Sequence, residues 1–387
     1  MLYTHAYALY THVTHKYSLK NNIFFAYFKI ILITLSNKIP KNEITMMKKL
    51  AMGIDIGGTN TAFGLVDEDG NVVAESKIST DKFKYYDDYK PYIETLAKAM
   101  QELIASQPEC ELIGIGIGAP NANIHTGRIE TPANLWKFED SSDPRPDSIR
   151  TFNFVADLGK YFGGQKIMIT NDANAAAIGE MVFGNARGMK DFAMITLGTG
   201  LGSGIVCNGE MVYGHDGFAG EYGHIAVDSR ETGRMCGCGR KGCLEAYVSA
   251  TGIKRTAFDL MASMTCDSEL RSVPYDKFEA KMLSDAAAKN DPIALEAFER
   301  TGKILGLALA DLTATTSPEA IILFGGLANA GDYIMRPTHK YMEENQLGVF
   351  KGKVKLMMSG IQDKNVAILG GAALIWKQHL EAVIENY

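Results

Sequence analysis

Short apolar runs followed by glycine-rich turns recur along the chain, and this pattern predicts buried strands whose turns approach a ligand closely. The run 49–56 predicts a strand, and the turn Gly57-Gly58-Thr59-Asn60 joins it to a second strand. The run 192–197 is followed in the same way by the turn Gly198-Thr199-Gly200 and a further strand. The repeat predicts two homologous halves, and the bare glycines of each turn let backbone N–H groups face a phosphate.

The remaining pattern predicts an α/β protein, because apolar runs of strand length alternate with segments of helical spacing. The other expected strands are 72 onward, 112–117, 166–170, 320–324 and 366–369. The expected helices are 87–106, 152–162, 246–264, 292–315 and 371–384. With 387 residues, the chain is long enough for two domains that each have a core.

Asn171 and Asp172 stand between the predicted strand 166–170 and an alanine-rich helix. Ligands bind at such strand ends in open α/β sheets. Asn and Asp are also preferred helix N-caps, but one of them would suffice for that purpose. The adjacent pair therefore favours a binding site.

The segment Gly114-Ile-Gly116-Ile-Gly118-Ala119 matches the spacing of the dinucleotide-binding fingerprint. That fingerprint requires a helix at once, whereas Pro120 and Asn121 follow here and no helical spacing continues. We therefore expect a loop near the substrate rather than a dinucleotide site.

Three cysteines within eight positions, Cys236, Cys238 and Cys243, predict a metal site. His224, twelve residues upstream, supplies a fourth ligand, and three thiolates with one imidazole suit tetrahedral Zn²⁺. A disulfide framework is the alternative, but six cysteines in 387 residues are too few for one. Four protein ligands leave no open position, so the expected zinc is structural.

Further polar residues and glycines have the chemistry of a binding site. Asp55 can hold Mg²⁺ through water, and Gly325-Gly326 after a buried strand lets an adenine ring lie close to the backbone. Glu221 and Glu245 are the acceptors that sugar hydroxyls need. Asn134 can hydrogen-bond a sugar or cap a turn, and the sequence favours neither.

Composition excludes some classes of protein. A hydrophobic content of 46% and a charged content of 22% are ordinary for a soluble globular chain. The net charge of −6 does not favour nucleic acid as the main partner.

Residues 1–46 differ from the rest of the chain and show no periodic pattern. The apolar run 23–35 is shorter than the roughly 20 residues of a membrane span, and no cleavage site of a signal peptide follows it. The hypothesis is that translation starts at Met46 or Met47 and that the protein is cytoplasmic.

Five motifs recur in combination in one known family. They are Asp55-Ile-Gly-Gly-Thr-Asn60, Asn171-Asp-Ala-Asn-Ala175, Leu197-Gly-Thr-Gly-Leu-Gly-Ser-Gly204, Gly220-Glu-Tyr-Gly-His224 and the cluster 236–245. Over residues 47–387 the chain resembles the ROK (repressor, open reading frame, kinase) family of sugar kinases. The resemblance implies an actin-like (ribonuclease H-like) fold with two α/β domains hinged over ATP and a sugar. It also implies Mg²⁺, structural Zn²⁺ and a homodimer or homotetramer.

The resemblance also implies domain limits and residue roles. It implies an N-terminal extension of 1–46, a small domain formed by 47–169 plus 366–387, and a large domain of 170–365. The large domain would contain a zinc loop at 224–243. Asp172 would be the general base that takes the proton from the sugar 6-hydroxyl. The hydroxyl-binding residues would be Asn171, Glu221, His224 and Glu245, with one ring nitrogen of His224 on zinc and the other on the sugar.

Glucose is the expected sugar, and N-acetylmannosamine, N-acetylglucosamine, mannose and fructose are alternatives. A sugar-responsive repressor of the same family is a second class of function. Such repressors have an N-terminal helix-turn-helix of some 60 to 80 residues, whereas 46 residues without that pattern precede the kinase motifs here.

Overall fold

The computed structural model describes residues 47–83, 89–130, 151–361 and 366–385. The predictions for residues 1–46 and for Asn134 lie outside these residues. Within the described part, no helix combines the length and the apolar composition that crossing a membrane requires.

The secondary structure of the described residues alternates strands and helices. The strands are β1 (Lys48–Ile56), β2 (Asn60–Val66), β3 (Val72–Ser79), β4 (Cys110–Gly118), β5 (Ala122–Asn123), β6 (Arg128–Glu130), β7 (Thr151–Phe152), β8 (Ile167–Thr170), β9 (Phe192–Leu197), β10 (Leu201–Cys207), β11 (Glu210–Met211), β12 (Ala320–Phe324) and β13 (Lys355–Met358). The α-helices are α1 (Lys90–Ala105), α2 (Phe154–Gly159), α3 (Asp172–Phe183), α4 (Glu245–Val248), α5 (Ala250–Ser263), α6 (Ala280–Ala287), α7 (Pro292–Thr316), α8 (Asp332–Asn345) and α9 (Val366–Glu385).

Two five-stranded sheets share one topology. The first has the order β3-β2-β1-β4-β8 and the second the order β11-β10-β9-β12-β13. In each sheet the three strands that come first in sequence form antiparallel pairs. The two strands that come later in sequence run parallel to the first strand. The duplication predicted from the two glycine turns is therefore confirmed. Strands β5, β6 and β7 form a small third sheet.

Helix α9 packs directly on the first sheet because glycines remove the side chains between them. A Cβ on Gly53 of β1 would lie 1.8 Å from the carbonyl oxygen of Ile368, and one on Gly116 of β4 would lie 1.9 Å from that of Gly371. Gly370 lies against α3, where a Cβ would lie 2.7 Å from the carbonyl oxygen of Ala175. Any side chain at Gly53 or Gly116 would therefore separate the helix from the sheet.

The prediction of a strand at 366–369 is wrong, because these residues form the first turn of α9. Val366, Ile368 and Leu369 are all buried, and so are residues on later turns such as Ile375 and Trp376. A helix that is apolar on every face shows no amphipathic period, so a short part of it cannot be distinguished from a buried strand.

Two predicted helices are also shorter than expected. Phe152 belongs to β7, which pairs with β6, and only Phe154–Gly159 of the segment 152–162 is helical. The segment 246–264 is divided between α4 and α5 at Ser249, whose side chain accepts a hydrogen bond from the N–H of Gly252. Ser249 therefore begins a new helix as its N-cap.

Candidate active site

One cleft of about 440 Å³ lies where strands of both sheets end. Residues after β4 and β8 of the first sheet face residues after β9 and β12 of the second. The lining residues that the sequence had indicated are Asn171, Asp172, Gly198, Thr199, Gly200, Glu221, Glu245 and Gly325. The carboxyl ends of parallel strands are the usual ligand site of open α/β sheets.

Other predicted site residues are not among those that line this cleft. The first glycine turn, 57–60, joins β1 to β2 at the end of the first sheet, and Gly326 follows the lining residue Gly325. His224 lies behind Glu221, with its Nε2 atom 4.0 Å from Oε2 of that carboxylate. The structure thus brings together the second turn, the start of α3 and the two glutamates.

The sequence allowed two roles for Asn171 and Asp172, capping of the helix and binding of a ligand, and Asn171 has the capping role. Asn171 is the N-cap of α3, and its Oδ1 atom accepts a hydrogen bond of 2.9 Å from the N–H of Ala173. Asp172 is the first helical residue, and its Oδ1 atom accepts from the same N–H at 2.8 Å. Because Asn171 already caps the helix, the carboxylate of Asp172 is not needed for that purpose.

Asp172 lines the cleft and its side chain is exposed there, although the surrounding protein removes part of the water from the carboxylate. Burial raises its pKa, and the hydrogen bond from Ala173 opposes this effect. Asp55, at the end of β1, is half-buried; burial, together with the negative charge of Asp172, raises the pKa of Asp55 to about 6. Two carboxylates that repel one another at a strand end are typical of a site that binds a cation or handles a proton.

Glu221 and Glu245 form another part of the cleft wall. Burial raises the pKa of Glu221; nearby His224 lowers it, while the charges of Asp172 and Glu245 raise it. Glu245 lies in the first turn of α4, and its Oε2 atom accepts a hydrogen bond of 2.9 Å from the N–H of Leu201. Its Oε1 atom lies 3.3 Å from the Sγ atom of Cys236.

The four predicted metal ligands lie together behind this wall. One nitrogen of His224 and the sulfurs of Cys236, Cys238 and Cys243 all lie within 4.8 Å of one another. The Sγ of Cys236 is 3.7 Å from Nδ1 of His224, and the sulfurs of Cys238 and Cys243 are 3.7 Å apart. Ligands of tetrahedral zinc lie about 3.8 Å apart when zinc–sulfur bonds are about 2.3 Å, so these four groups fit Zn²⁺.

The loop that brings the cysteines together depends on a glycine. Gly242 has a φ of 75°, and a Cβ there would lie 1.8 Å from the carbonyl oxygen of Asp228. The two residues that flank Gly242 form antiparallel β-bridges with earlier residues of the loop, Cys243 with Ala226 and Lys241 with Met235. Only glycine combines this backbone conformation with so close an approach.

The structure adds Thr196, Ser203 and Phe324 to the lining of the cleft, and the sequence had not singled out these three residues. Pro120 and Asn121, in the loop after β4 that was expected near the substrate, also line the cleft. Asn121 has a φ of 55°, a left-handed conformation that Asn tolerates better than most residues. The signal in the sequence was the Pro-Asn pair, which predicted a loop at this position.

Duplicated sheets of this topology, with a cleft at their strand ends, define the actin-like fold of sugar kinases. The chain belongs to the ROK family, whose family model matches residues 51–379.

The relatives include kinases and regulators. A glucokinase from Halalkalibacterium halodurans is 33% identical over 341 residues, which cover 86% of this chain and 97% of the relative. The crystal structure of a ROK family glucokinase from Streptomyces griseus in complex with glucose and AMPPNP is 29% identical, with a TM-score of 0.65; the match covers 84% of this chain and 98% of that one. A xylose repressor from Bacillus spizizenii is 26% identical, and the match covers 86% of this chain and 78% of the repressor.

Proposed function

We propose that this protein is a glucokinase, which transfers the γ-phosphoryl group of ATP to the 6-hydroxyl of glucose. The observation that supports it most is the position of Asp172, a carboxylate at the start of α3 in the cleft that the second glycine turn also lines. Similarity to glucokinases that cover most of the chain supports the same substrate.

In the proposed reaction Asp172 accepts the proton of the sugar 6-hydroxyl. The 6-oxygen forms a bond to the γ-phosphorus, the bond between that phosphorus and the oxygen bridging to the β-phosphate breaks, and ADP leaves. Phosphoryl transfer depends chiefly on positioning and on charge stabilisation, so the base has to lie within hydrogen-bond reach of the hydroxyl. The raised pKa of Asp172 brings it closer to that of a useful proton acceptor at neutral pH.

The remaining polar residues would hold the sugar. Glu221 and Glu245 offer carboxylate oxygens to its hydroxyls, and Asn171 offers an amide. His224 would contribute Nε2, the ring nitrogen nearer to Glu221, while Nδ1 faces the cysteines. Asn134 is proposed as a further sugar ligand from the sequence alone.

The glycine turns would hold the nucleotide. The backbone N–H groups of Thr199 and Gly200 would bind phosphate oxygens, as would those of Gly58, Thr59 and Asn60 in the first turn. The N–H groups of Gly198 and Gly57 donate to the carbonyl oxygens of Gly200 and Asn60 and close the two turns, so these glycines would let a phosphate approach without donating to it. Gly325 and Gly326 would let the adenine ring lie against the backbone. Asp55 would hold Mg²⁺ through water, and the ion would neutralise charge on the phosphates.

The cluster of His224, Cys236, Cys238 and Cys243 would hold a structural Zn²⁺ that shapes the sugar side of the cleft. We further propose a small domain of 47–169 plus 366–387 and a large domain of 170–365, a homodimer or homotetramer, and a cytoplasmic enzyme without nucleic-acid or membrane partners.

Similarity to the xylose repressor makes a sugar-responsive regulator the second candidate. The carboxylate of Asp172 in the cleft favours turnover instead, because a sensor needs no proton acceptor. A repressor would bind DNA and would release no ADP in the presence of sugars.

The test measures ADP release from Mg-ATP with glucose, mannose, fructose, N-acetylglucosamine and N-acetylmannosamine. We expect kcat/KM to be highest for glucose. A higher value for an N-acetylated sugar would assign the protein to amino-sugar metabolism instead. Sugar binding without turnover on any of the five would favour the regulator.

A further inference from the structure

The segment that follows the last metal ligand is hydrogen-bonded to the second glycine turn. Beyond Cys243, Oε2 of Glu245 accepts from the N–H of Leu201 at 2.9 Å. The N–H of Ala250 donates to the carbonyl oxygen of Gly198 at 2.9 Å. The hydroxyl of Thr251 donates to the carbonyl oxygen of Thr199 at 3.0 Å. Backbone groups at three positions of the turn are therefore held by one short segment, 245–251.

These bonds determine the direction of the turn's N–H groups. In a planar trans peptide the C=O and the N–H point in opposite directions. The carbonyls of Gly198 and Thr199 point toward the start of α5, so the N–H groups of Thr199 and Gly200 point away from it. Both residues line the cleft, where a phosphate would be bound.

Close packing restricts the turn further. A Cβ on Gly200 would lie 2.4 Å from Oε2 of Glu245, so the backbone of the turn lies directly against this carboxylate. A side chain at position 200 would have to displace this carboxylate and break its hydrogen bond to the N–H of Leu201.

The metal loop itself is attached to the same helices. The guanidinium of Arg234 donates to the carbonyl oxygens of Ala246 and Gly252 at 3.3 and 3.1 Å, and to Oγ1 of Thr256 at 3.0 Å. It also forms an ion pair of 2.7 Å with Asp259. The loop that holds the metal ligands, helices α4 and α5 and the glycine turn are therefore one continuous network of hydrogen bonds.

We propose that Thr251 is a positioning residue for the phosphate-binding turn and that, through segment 245–251, the metal loop supports nucleotide binding as well as sugar binding. The inference rests on the proposed function, since it assigns the nucleotide phosphates to the turn 198–200. Metal and nucleotide then strengthen each other's binding by the same factor, as linkage requires.

The first experiment isolates one hydrogen bond. Thr251→Val removes the hydroxyl and keeps the branched shape, whereas Thr251→Ser keeps the hydroxyl and is the matched control. Calorimetric titration of the zinc-loaded full chain with Mg-ADP, without sugar, should give a Kd about three- to tenfold higher for Thr251→Val. The Kd of Thr251→Ser should stay within about twofold of wild type, and glucose affinity should be unchanged in both variants.

The second experiment tests the link to the metal. Zinc affinity is measured by competition with a chelating indicator, with and without Mg-ADP. Nucleotide should raise the zinc affinity of the wild-type protein, and the increase should be smaller in Thr251→Val than in Thr251→Ser.

The outcomes separate this inference from the proposed function. The inference would be overturned if the two variants bound nucleotide with equal affinity, or if zinc affinity did not respond to nucleotide. Turnover of glucose would in either case leave the kinase assignment intact. A wild-type protein that binds no nucleotide would overturn both.

Discussion

The imidazole of His224 lies between the metal ligands and the cleft, with Nε2 4.0 Å from Oε2 of Glu221. Its other nitrogen, Nδ1, lies 3.7 Å from the Sγ of Cys236. A metal bound through Nδ1 would fix the ring plane and therefore the direction in which Nε2 points. The proposed structural Zn²⁺ would in this way determine the shape of the part of the cleft where we propose that the sugar binds.

Removing one thiolate should remove the metal. In Cys238→Ser we expect zinc affinity to fall at least about tenfold, because a tetrahedral site loses one of its four ligands. Elemental analysis of the wild-type protein should find one zinc per chain, and a chelator should lower its melting temperature. Cys207, which lies outside the cluster, provides the control Cys207→Ser with unchanged zinc content. A zinc affinity of Cys238→Ser equal to that of the wild-type protein would contradict the assigned ligand set.

Asp172→Ala should separate sugar binding from turnover. The N-cap of α3 is Asn171, so the helix should still form and the protein should still fold. Without a proton acceptor, kcat should fall by a factor of about 100 or more, while the Kd for glucose changes little. Steady-state kinetics and calorimetric titration of glucose measure the two quantities. A variant that kept more than about a hundredth of the wild-type kcat would exclude Asp172 as the general base.

Asp55 should make the free protein less stable as the pH rises. Its folded-state pKa of about 6 exceeds the usual value near 4, so the free energy of unfolding falls as pH rises from about 4 to about 6. Asp55→Asn should therefore raise stability by up to about 3 kcal/mol at pH 8 and by only about 1 kcal/mol at pH 4.5.

Thermal unfolding at both pH values, without Mg²⁺ or nucleotide, measures this difference. The exposed residue Asp69 provides the control, since Asp69→Asn removes a carboxylate that is not buried. If the gain in stability of Asp55→Asn were the same at both pH values, the burial of a charged carboxylate would be excluded as its cause.

A side chain at Gly200 should destabilise the protein because it displaces the carboxylate of Glu245 from Leu201, whereas a side chain at Gly198 should have little effect. A Cβ on Gly200 would lie 2.4 Å from Oε2 of Glu245, while a Cβ on Gly198 would meet nothing within 4 Å. We expect Gly200→Ala to lower the free energy of unfolding by about 1–3 kcal/mol. Denaturant unfolding of both variants should show a much smaller change for Gly198→Ala, and equal losses would disprove the steric argument.

The repeated halves could be predicted from sequence because a strand, a glycine turn and a second strand form a local pattern. The strands 49–56 and 192–197 were recognisable on that basis, and β1 and β9 follow them closely. The first turn of α9 was not recognisable, because burial on every face removes the helical period. The division at Ser249, by contrast, had a local signal, since Ser is a preferred N-cap residue.

The chemistry of the candidate site was visible in residue types, but its arrangement depends on contacts that are distant in sequence. The cysteines and His224 are close enough along the chain for a metal site to be predicted from their spacing. The approach of Glu245 to Leu201, 44 positions apart, has no local pattern. The same holds for the charge of Asp172 acting on Asp55, which requires β1 and β8 to lie in one sheet.

The most direct test of the account is the identity of the product. Glucose and Mg-ATP are incubated with the wild-type protein and with Asp172→Ala, and phosphorus NMR identifies any sugar phosphate formed. The account predicts glucose 6-phosphate with the wild-type protein and almost none with the variant. A phosphate on another hydroxyl, or no sugar phosphate from a protein that binds both ligands, would contradict it.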